Sequence, residues 1–186
     1  MSLESVGNYL ESSENVHILL LHESKSKGEE IEFNFIKKGL EKAEHCYYFT
    51  NEPEEITGLM SDYLIDVESY KKRNLLSIIS VPKSFEEYSK MILQKFTALT
   101  NLSSPIRLVG SNNFEFNTPF RISTKEKLEQ FVDDNFSKLS GKFLCSYHIP
   151  SIKQNLANDF MKNLLDSHHS VIIQTKDGKV ETFNLP

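Results

Sequence analysis

The side chains here with chemistry to offer are six histidines, two cysteines and a lysine-rich turn, scattered among apolar runs. His22 and His148 each fall at the end of an apolar run, and Glu23 adjoins the first. Imidazole and carboxylate converging there would make a mixed metal site. No pair of histidines has the i, i+4 spacing of a helical metal motif, so no metal is expected. The adjacent His168-His169 pair follows a helical pattern, where imidazoles pointing apart serve as cations at a helix C-terminus. Cys145 and His148 are the residue types of a nucleophilic pair. Cys145, however, should point into the layers flanking its strand, and no catalytic residue is assigned. Lys25 and Lys27 lie in His22-Glu23-Ser24-Lys25-Ser26-Lys27-Gly28-Glu29-Glu30. A phosphate loop needs glycines that let backbone N–H groups wrap the anion, and a lysine to meet its charge. One glycine, no Gly-Lys-Ser/Thr and flanking carboxylates predict a solvated loop instead.

The elements that position these groups follow from periodicity. Residues 16–22, 46–49, 75–81, 106–109, 142–147 and 171–175 are apolar or β-rich runs that read as strands. Between them lie helical stripes at 29–42, 53–63, 66–70, 84–99, 123–139 and 150–165. Pro53 suits a first turn, Thr50 or Asn51 can cap it, and Ser84 and Ser123 are caps, the latter forming a capping box with Glu126. Gly110 to Asn113 is expected to terminate the fourth strand. Residues 114–122 read as irregular, their three phenylalanines packing under a loop. Lys176-Asp177-Gly178-Lys179 is a hairpin signal returning an antiparallel strand at 180–185. Strand alternating with helix predicts an α/β, three-layer, mostly parallel sheet with helices on both faces and a C-terminal antiparallel hairpin. Residues 1–15 read as a polar arm with one or two helical turns, and 16–186 as a single domain.

In such a sheet, ligands sit outside the carboxyl ends of the strands. The polar groups expected there are His22, Glu23, Ser24, Thr50, Asn51, Glu52, Ser80, Ser111, Asn112, Asn113, Tyr147 and His148, beside Tyr48 and Phe49. They suit a small, partly apolar ligand. A formal charge of −5 gives no basic footprint for nucleic acid. No apolar run approaches the roughly 20 residues of a membrane span. The polar start is no signal peptide. Both cysteines read as reduced core residues. These features predict a cytoplasmic protein.

The stretch Asn51-Glu52-Pro53-Glu54-Glu55-Ile56, then Ile65-Asp66-Val67-Glu68-Ser69-Tyr70, then Asn74-Leu75-Leu76-Ser77-Ile78-Ile79 resembles RecA-like ATPases of the circadian-clock type. With His17-Ile18-Leu19-Leu20-Leu21-His22-Glu23-Ser24 and 35–46, the resemblance narrows to the MEDS sensory domain (methanogen/methylotroph, DcmR sensory). Phe143-Leu144-Cys145-Ser146-Tyr147-His148 is similar to that family's L-C-x-Y-D strand, with His148 in place of the aspartate. The resemblance spans residues 16–175 and implies a RecA-like sheet that usually lacks the phosphate loop. It also implies that Glu52 sits where related ATPases keep a water-activating glutamate, and that the fourth strand, Arg107 to Ser111, lacks the magnesium-organising carboxylate.

The expectation is a non-catalytic sensory or signal-transduction domain with no cofactor, binding a small molecule, a separate regulatory protein, or both. The resemblance suggests hydrocarbon derivatives as ligands. Neither nucleic acid nor membrane is an expected partner, and the chain would signal through a separate protein or by dimerising. The alternatives are a pure protein-interaction module and a residual nucleotide-binding protein of the RecA-like superfamily.

Overall fold

A computed structural model describes residues 3–11, 15–82, 84–99, 105–112, 119–152 and 157–185. The seven strands are β1 (Val16–His22), β2 (His45–Thr50), β3 (Leu76–Ser80), β4 (Ile106–Asn112), β5 (Gly141–His148), β6 (Ser170–Gln174) and β7 (Val180–Asn184). They form one sheet in the order β3-β2-β4-β5-β1-β6-β7. All pairings are parallel except β6 with β7, which closes the chain as an antiparallel hairpin. The Thr175 N–H donates to the Lys179 carbonyl at 3.0 Å, and Gly178 takes φ +82° in the turn. This is the three-layer, mostly parallel α/β sheet that the alternation of strand and helix predicts, and the RecA-like form that the family resemblance implies.

The helices are α1 (Leu3–Glu11), α2 (Lys25–Glu41), α3 (Pro53–Asp62), α4 (Val67–Lys72), α5 (Phe85–Leu99), α6 (Pro119–Phe136) and α7 (Ala157–Asp166). All seven residues of β1 are buried, because parallel neighbours cover its edges and helices cover its faces. Side chains alternate between the two faces along each strand. Ile18 and Leu20 pack with Phe33, Ile36, Tyr48, Val109 and Leu144 in the layer of α2. Leu19 and Leu21 join Phe160 and Leu164 of α7 on the opposite face. Farther along that face, Phe49, Leu108 and Phe143 meet Ile92, Leu99 and Phe136. Each fully buried leucine or isoleucine contributes about 1.5–3 kcal/mol.

Several boundaries differ from the sequence reading. Residues 23–28 do not form a loop: only Glu23 and Ser24 separate β1 from α2, which begins at Lys25. β4 runs through Gly110 to Asn112 because Gly110 still pairs with Phe49 in β2 and Cys145 in β5. α6 starts at Pro119 rather than at a Ser123 cap, since proline fits a first helical turn. A 3₁₀ turn at Ile149–Ser151 stands where a helix was expected to open. Residues 113–118 and 153–156 lie outside the described residues, and with them the expected phenylalanine packing and the start of the last helix. The Ser84 cap is present, its Oγ accepting from the Glu87 N–H at 3.4 Å. Among the described residues no helix is long and apolar enough to cross a membrane.

The segment read as a polar arm contributes helix α1, whose Val6 and Leu10 are buried against the α2 layer. Its last residue, Glu11, meets the buried Arg107 of β4 at 2.7 Å. Arg107 also pairs with Glu44 and donates to the Phe35 carbonyl at 3.0 Å. Burial alone would raise the Glu11 carboxyl, but hydrogen bonds from Arg107 and Lys42 hold it at about 2. Removing one partner of a buried pair leaves the other charge uncompensated. Arg107→Met is therefore expected to lower stability by about 3 kcal/mol in urea unfolding at neutral pH. An unchanged urea midpoint would show that this network does not hold α1 to the sheet.

Candidate functional site

Register brings His22 of β1 opposite His148 of β5 at the carboxyl end of the sheet. Their ring centroids lie 5.4 Å apart. His22 Nδ1 is 3.0 Å from the Ser24 carbonyl, so the neutral ring carries its proton there. His148 Nδ1 lies 2.8 Å from Ser151 Oγ. Gly28 packs under His22, and a Cβ at that position would come within 2.5 Å of the ring. This close approach is why a glycine stands in the first turn of α2. Burial pushes the His22 imidazole down to about 4, against the Ser24 carbonyl and helped by His148. Burial likewise lowers His148, with the nearby Lys25 charge adding to it.

The first two turns of α2 bring carboxyls under the same strand ends. Glu32 is fully buried and accepts a hydrogen bond from the Tyr48 hydroxyl of β2. Ser146 and Ser111 place hydroxyls beside it without reaching hydrogen-bond geometry. Burial raises the Glu32 carboxyl, so it favours its neutral, proton-donating form. Burial also raises Glu29, whose Oε1 has no hydrogen-bond partner among the described residues. Asn51 Oδ1 is likewise buried and unpartnered among them. The Thr50 hydroxyl is taken up locally, accepting from the Glu52 N–H at 3.1 Å.

Lys25 is not in a solvated loop. Its ammonium lies 3.2 Å from Glu55, 3.4 Å from Glu52 and 3.8 Å from Glu29. Lys27 pairs with Glu30 at 2.8 Å on the exposed side. Glu52 therefore sits in an ion-pair cluster at the start of α3.

Other expected site residues are directed elsewhere. The Glu23 carboxylate accepts from the Lys176 N–H at 2.7 Å, tying it to the β6–β7 hairpin, so it does not join His22 and His148. The Ser24 N–H donates to the Gln174 side chain at 3.3 Å, and its hydroxyl lies 3.3 Å from Ser26. Tyr147 neighbours His148 in β5 and so faces the opposite layer, donating its hydroxyl to Glu129 of α6. Ser80 is exposed at the end of β3. Asn112 ends β4, and its side chain, like Asn113, lies outside the described residues.

The sequence reading passed over Glu29, Glu32 and Ser146. Their signal was a Lys25, Glu29, Glu32 spacing at i, i+4 and i+7, one helix face, which shows only once α2 is known to begin at Lys25. It also passed over a second polar cluster, on the α6–α7 face. Glu129, buried in α6, lies 2.8 Å from Lys125, and the tilted rings of His17 of β1 and His168 after α7 lie beside it with centroids 3.9 Å apart. Burial pushes both imidazoles down, so His168 is not the exposed helix-end cation expected. Burial alone would raise Glu129, but Lys125 and the two imidazoles hold it well below the usual carboxylate range. Burial drives the Cys145 thiol up, so in this state it is an uncharged group rather than a nucleophile.

The model of the MEDS family, the methanogen/methylotroph, DcmR sensory domain, matches residues 16–169. The chain belongs to this family. No curated protein matches it in sequence. Its fold is similar to that of the KaiC-like protein PH0186 of the hyperthermophilic archaeon Pyrococcus horikoshii OT3. That match has a TM-score of 0.60 and 16% identity, covering 89% of this chain and 76% of that one. The P. horikoshii protein PH0250 gives a TM-score of 0.62 at 11% identity, covering 98% and 91%. The uncharacterised PH0321 of that organism, solved with an unknown peptide, gives 0.65 at 12%, covering 98% and 89%. Identities this low establish a shared fold alone.

The depressed His22 has a definite consequence for stability. Its native value of about 4 lies below the ordinary 6.5. The native state therefore favours the neutral ring, and its contribution is complete above 6.5 and lost as pH falls through 4. His22→Gln is expected to remove about one proton from the uptake on unfolding in that window, read from urea midpoints between pH 7 and 4. An unchanged slope would mean that His22 is protonated equally in both states.

Proposed function

We propose that this MEDS-family chain is a non-catalytic sensory domain that takes a small, uncharged, hydrogen-bonding ligand at the carboxyl ends of β1, β2, β4 and β5. The observation that carries this reading is a set of buried polar atoms with no hydrogen-bond partner among the described residues: Asn51 Oδ1, and the Ser111 and Ser146 hydroxyls beside Glu32. Each buried group without a partner costs about 1–3 kcal/mol. A ligand that bonds to them recovers part of that cost. Beside them burial favours the neutral form of the His22 imidazole and of the Glu32 carboxyl, so these groups offer hydrogen-bond donors and acceptors rather than charge.

The same geometry argues against a polyphosphate. Two residues between β1 and α2 leave no loop to wrap an anion. Lys25, the cation nearest that junction, is already shared among three carboxylates. A nucleotide would have to displace them while approaching Glu29.

Thermal melts test this reading directly. The purified chain is heated with Mg-ATP, and separately with short alcohols and amides. A ligand at a hundred times its dissociation constant should add about 2.7 kcal/mol. The expected result is stabilisation by an uncharged compound that is lost in Ser111→Ala and Asn51→Ala. Stabilisation by Mg-ATP would overturn the reading in favour of a residual nucleotide-binding protein. No shift with any compound would favour a protein-interaction module.

A further inference from the structure

We propose that His17 Nε2, His168 Nε2, Cys145 Sγ and Glu129 Oε2 form a closed four-ligand site for a zinc-class divalent metal, on the face opposite the sensory crevice. These four side chains offer atoms that all lie within 4.8 Å of one another, and all four residues are buried. They arrive from separate elements: β1, the turn after α7, β5 and α6. His17 Nε2 is 3.3 Å from Cys145 Sγ and 3.8 Å from Glu129 Oε2, and His168 Nε2 is 3.7 Å from the same oxygen. A tetrahedral zinc with ligand bonds of about 2.0–2.3 Å places its ligands about 3.3–3.8 Å apart. These three separations fall in that range, and the remaining ones lie within 4.8 Å.

Two features go beyond proximity. The Glu129 carboxylate divides its work: Oε1 takes Lys125 and the Tyr147 hydroxyl, while Oε2 has no hydrogen-bond partner among the described residues. His168 Nδ1 lies 2.6 Å from the Leu164 carbonyl, so its proton sits there and Nε2 turns a lone pair inward. His168 Nε2 is itself unpartnered among the described residues. Two acceptors, Nε2 and Oε2, thus face each other with no hydrogen between them. A cation in that gap would satisfy both, and the Leu164 carbonyl, Lys125 and Tyr147 would hold the ligands in place from behind. Two neutral imidazoles, one thiolate and one carboxylate match the mixed N, S, O preference of zinc. On binding, the Cys145 S–H bond breaks, its electron pair forms the bond to the metal, and the proton leaves to solvent.

The site is buried, so metal should enter as the chain folds, and the test uses the full chain expressed with cobalt as a zinc substitute. One cobalt per chain is expected, with the intense visible bands of tetrahedral Co(II) and a near-ultraviolet thiolate-to-cobalt band. Cys145→Ser should abolish the thiolate band, and Cys46→Ala, on the other face, should keep it. His168→Gln should lower apparent affinity by about a hundredfold or more. Far-ultraviolet circular dichroism checks that each variant folds, and the unsubstituted chain decides the question even where a variant does not. A folded chain with no bound cobalt, or with cobalt bound but no thiolate band, would overturn the proposal. So would a thiolate band that survives Cys145→Ser. Crevice ligand binding plays no part in this readout, so the two proposals fail separately.

Discussion

The burial of β1 on both faces and both edges is the constraint on which the rest of the molecule depends. A central parallel strand must be apolar, and Ile18 to Leu21 obey. The strand nevertheless carries His17 as its second residue and ends with His22, and both are buried. Five positions apart, they point to opposite faces, because strand side chains alternate. Each buried imidazole must then find polar neighbours, since an unpaired polar group in the interior is costly. Around His22 these are the Ser24 carbonyl and His148, and around His17 they are Cys145, His168 and Glu129. Both of these polar clusters are thus organised from opposite ends of one strand.

A third polar group is buried on the α2 face at the opposite end of the sheet from His22. Arg107 has no exposed surface, yet it stands in a strand and stacks over Phe35 with its guanidinium 5.0 Å from the ring centroid. Its fork is matched by Glu11 from α1 and Glu44 ahead of β2. Planar, multidentate pairing of this kind suits arginine and not lysine. Gly39 makes room for it, as a Cβ there would lie 2.5 Å from the Arg107 side chain. The interaction ties α1 to the paired strands β2 and β4.

The alternation of apolar runs and helical stripes made the layered sheet legible, because a buried parallel strand has few ways to be written. The start of α2 was not legible. Lys25-Ser26-Lys27-Gly28 has loop composition, but the glycine is there to accommodate the His22 ring, a tertiary reason that local pattern cannot carry. The pairing of His22 with His148 could be anticipated from their places at strand ends. Tyr147 could not belong with them, and period-two alternation applied strictly would have sent it to the face where it meets Glu129. The His17 cluster left no mark in the sequence, because its members come from four elements and no two have a motif spacing. Only the register of β1 with β5, which sets Leu19 opposite Cys145, brings His17 within reach of that thiol.

Glu32 and Glu129 show how position rather than residue type decides what a buried carboxyl does. Both are fully enclosed, and desolvation is the largest influence on each. Glu32 has hydroxyls beside it and Lys25 acting only weakly, so nothing outweighs the loss of water and its carboxyl is raised. Glu129 has Lys125 at 2.8 Å and two imidazoles beside it, and its carboxyl is lowered. A hydroxyl can stabilise either form of a carboxyl, whereas a cation stabilises only the ionised one. The α2 face therefore holds, in Glu32, a carboxyl that burial biases toward its neutral form. The α6–α7 face holds a standing anion, with one oxygen spent on lysine and tyrosine and the other turned toward two imidazole nitrogens.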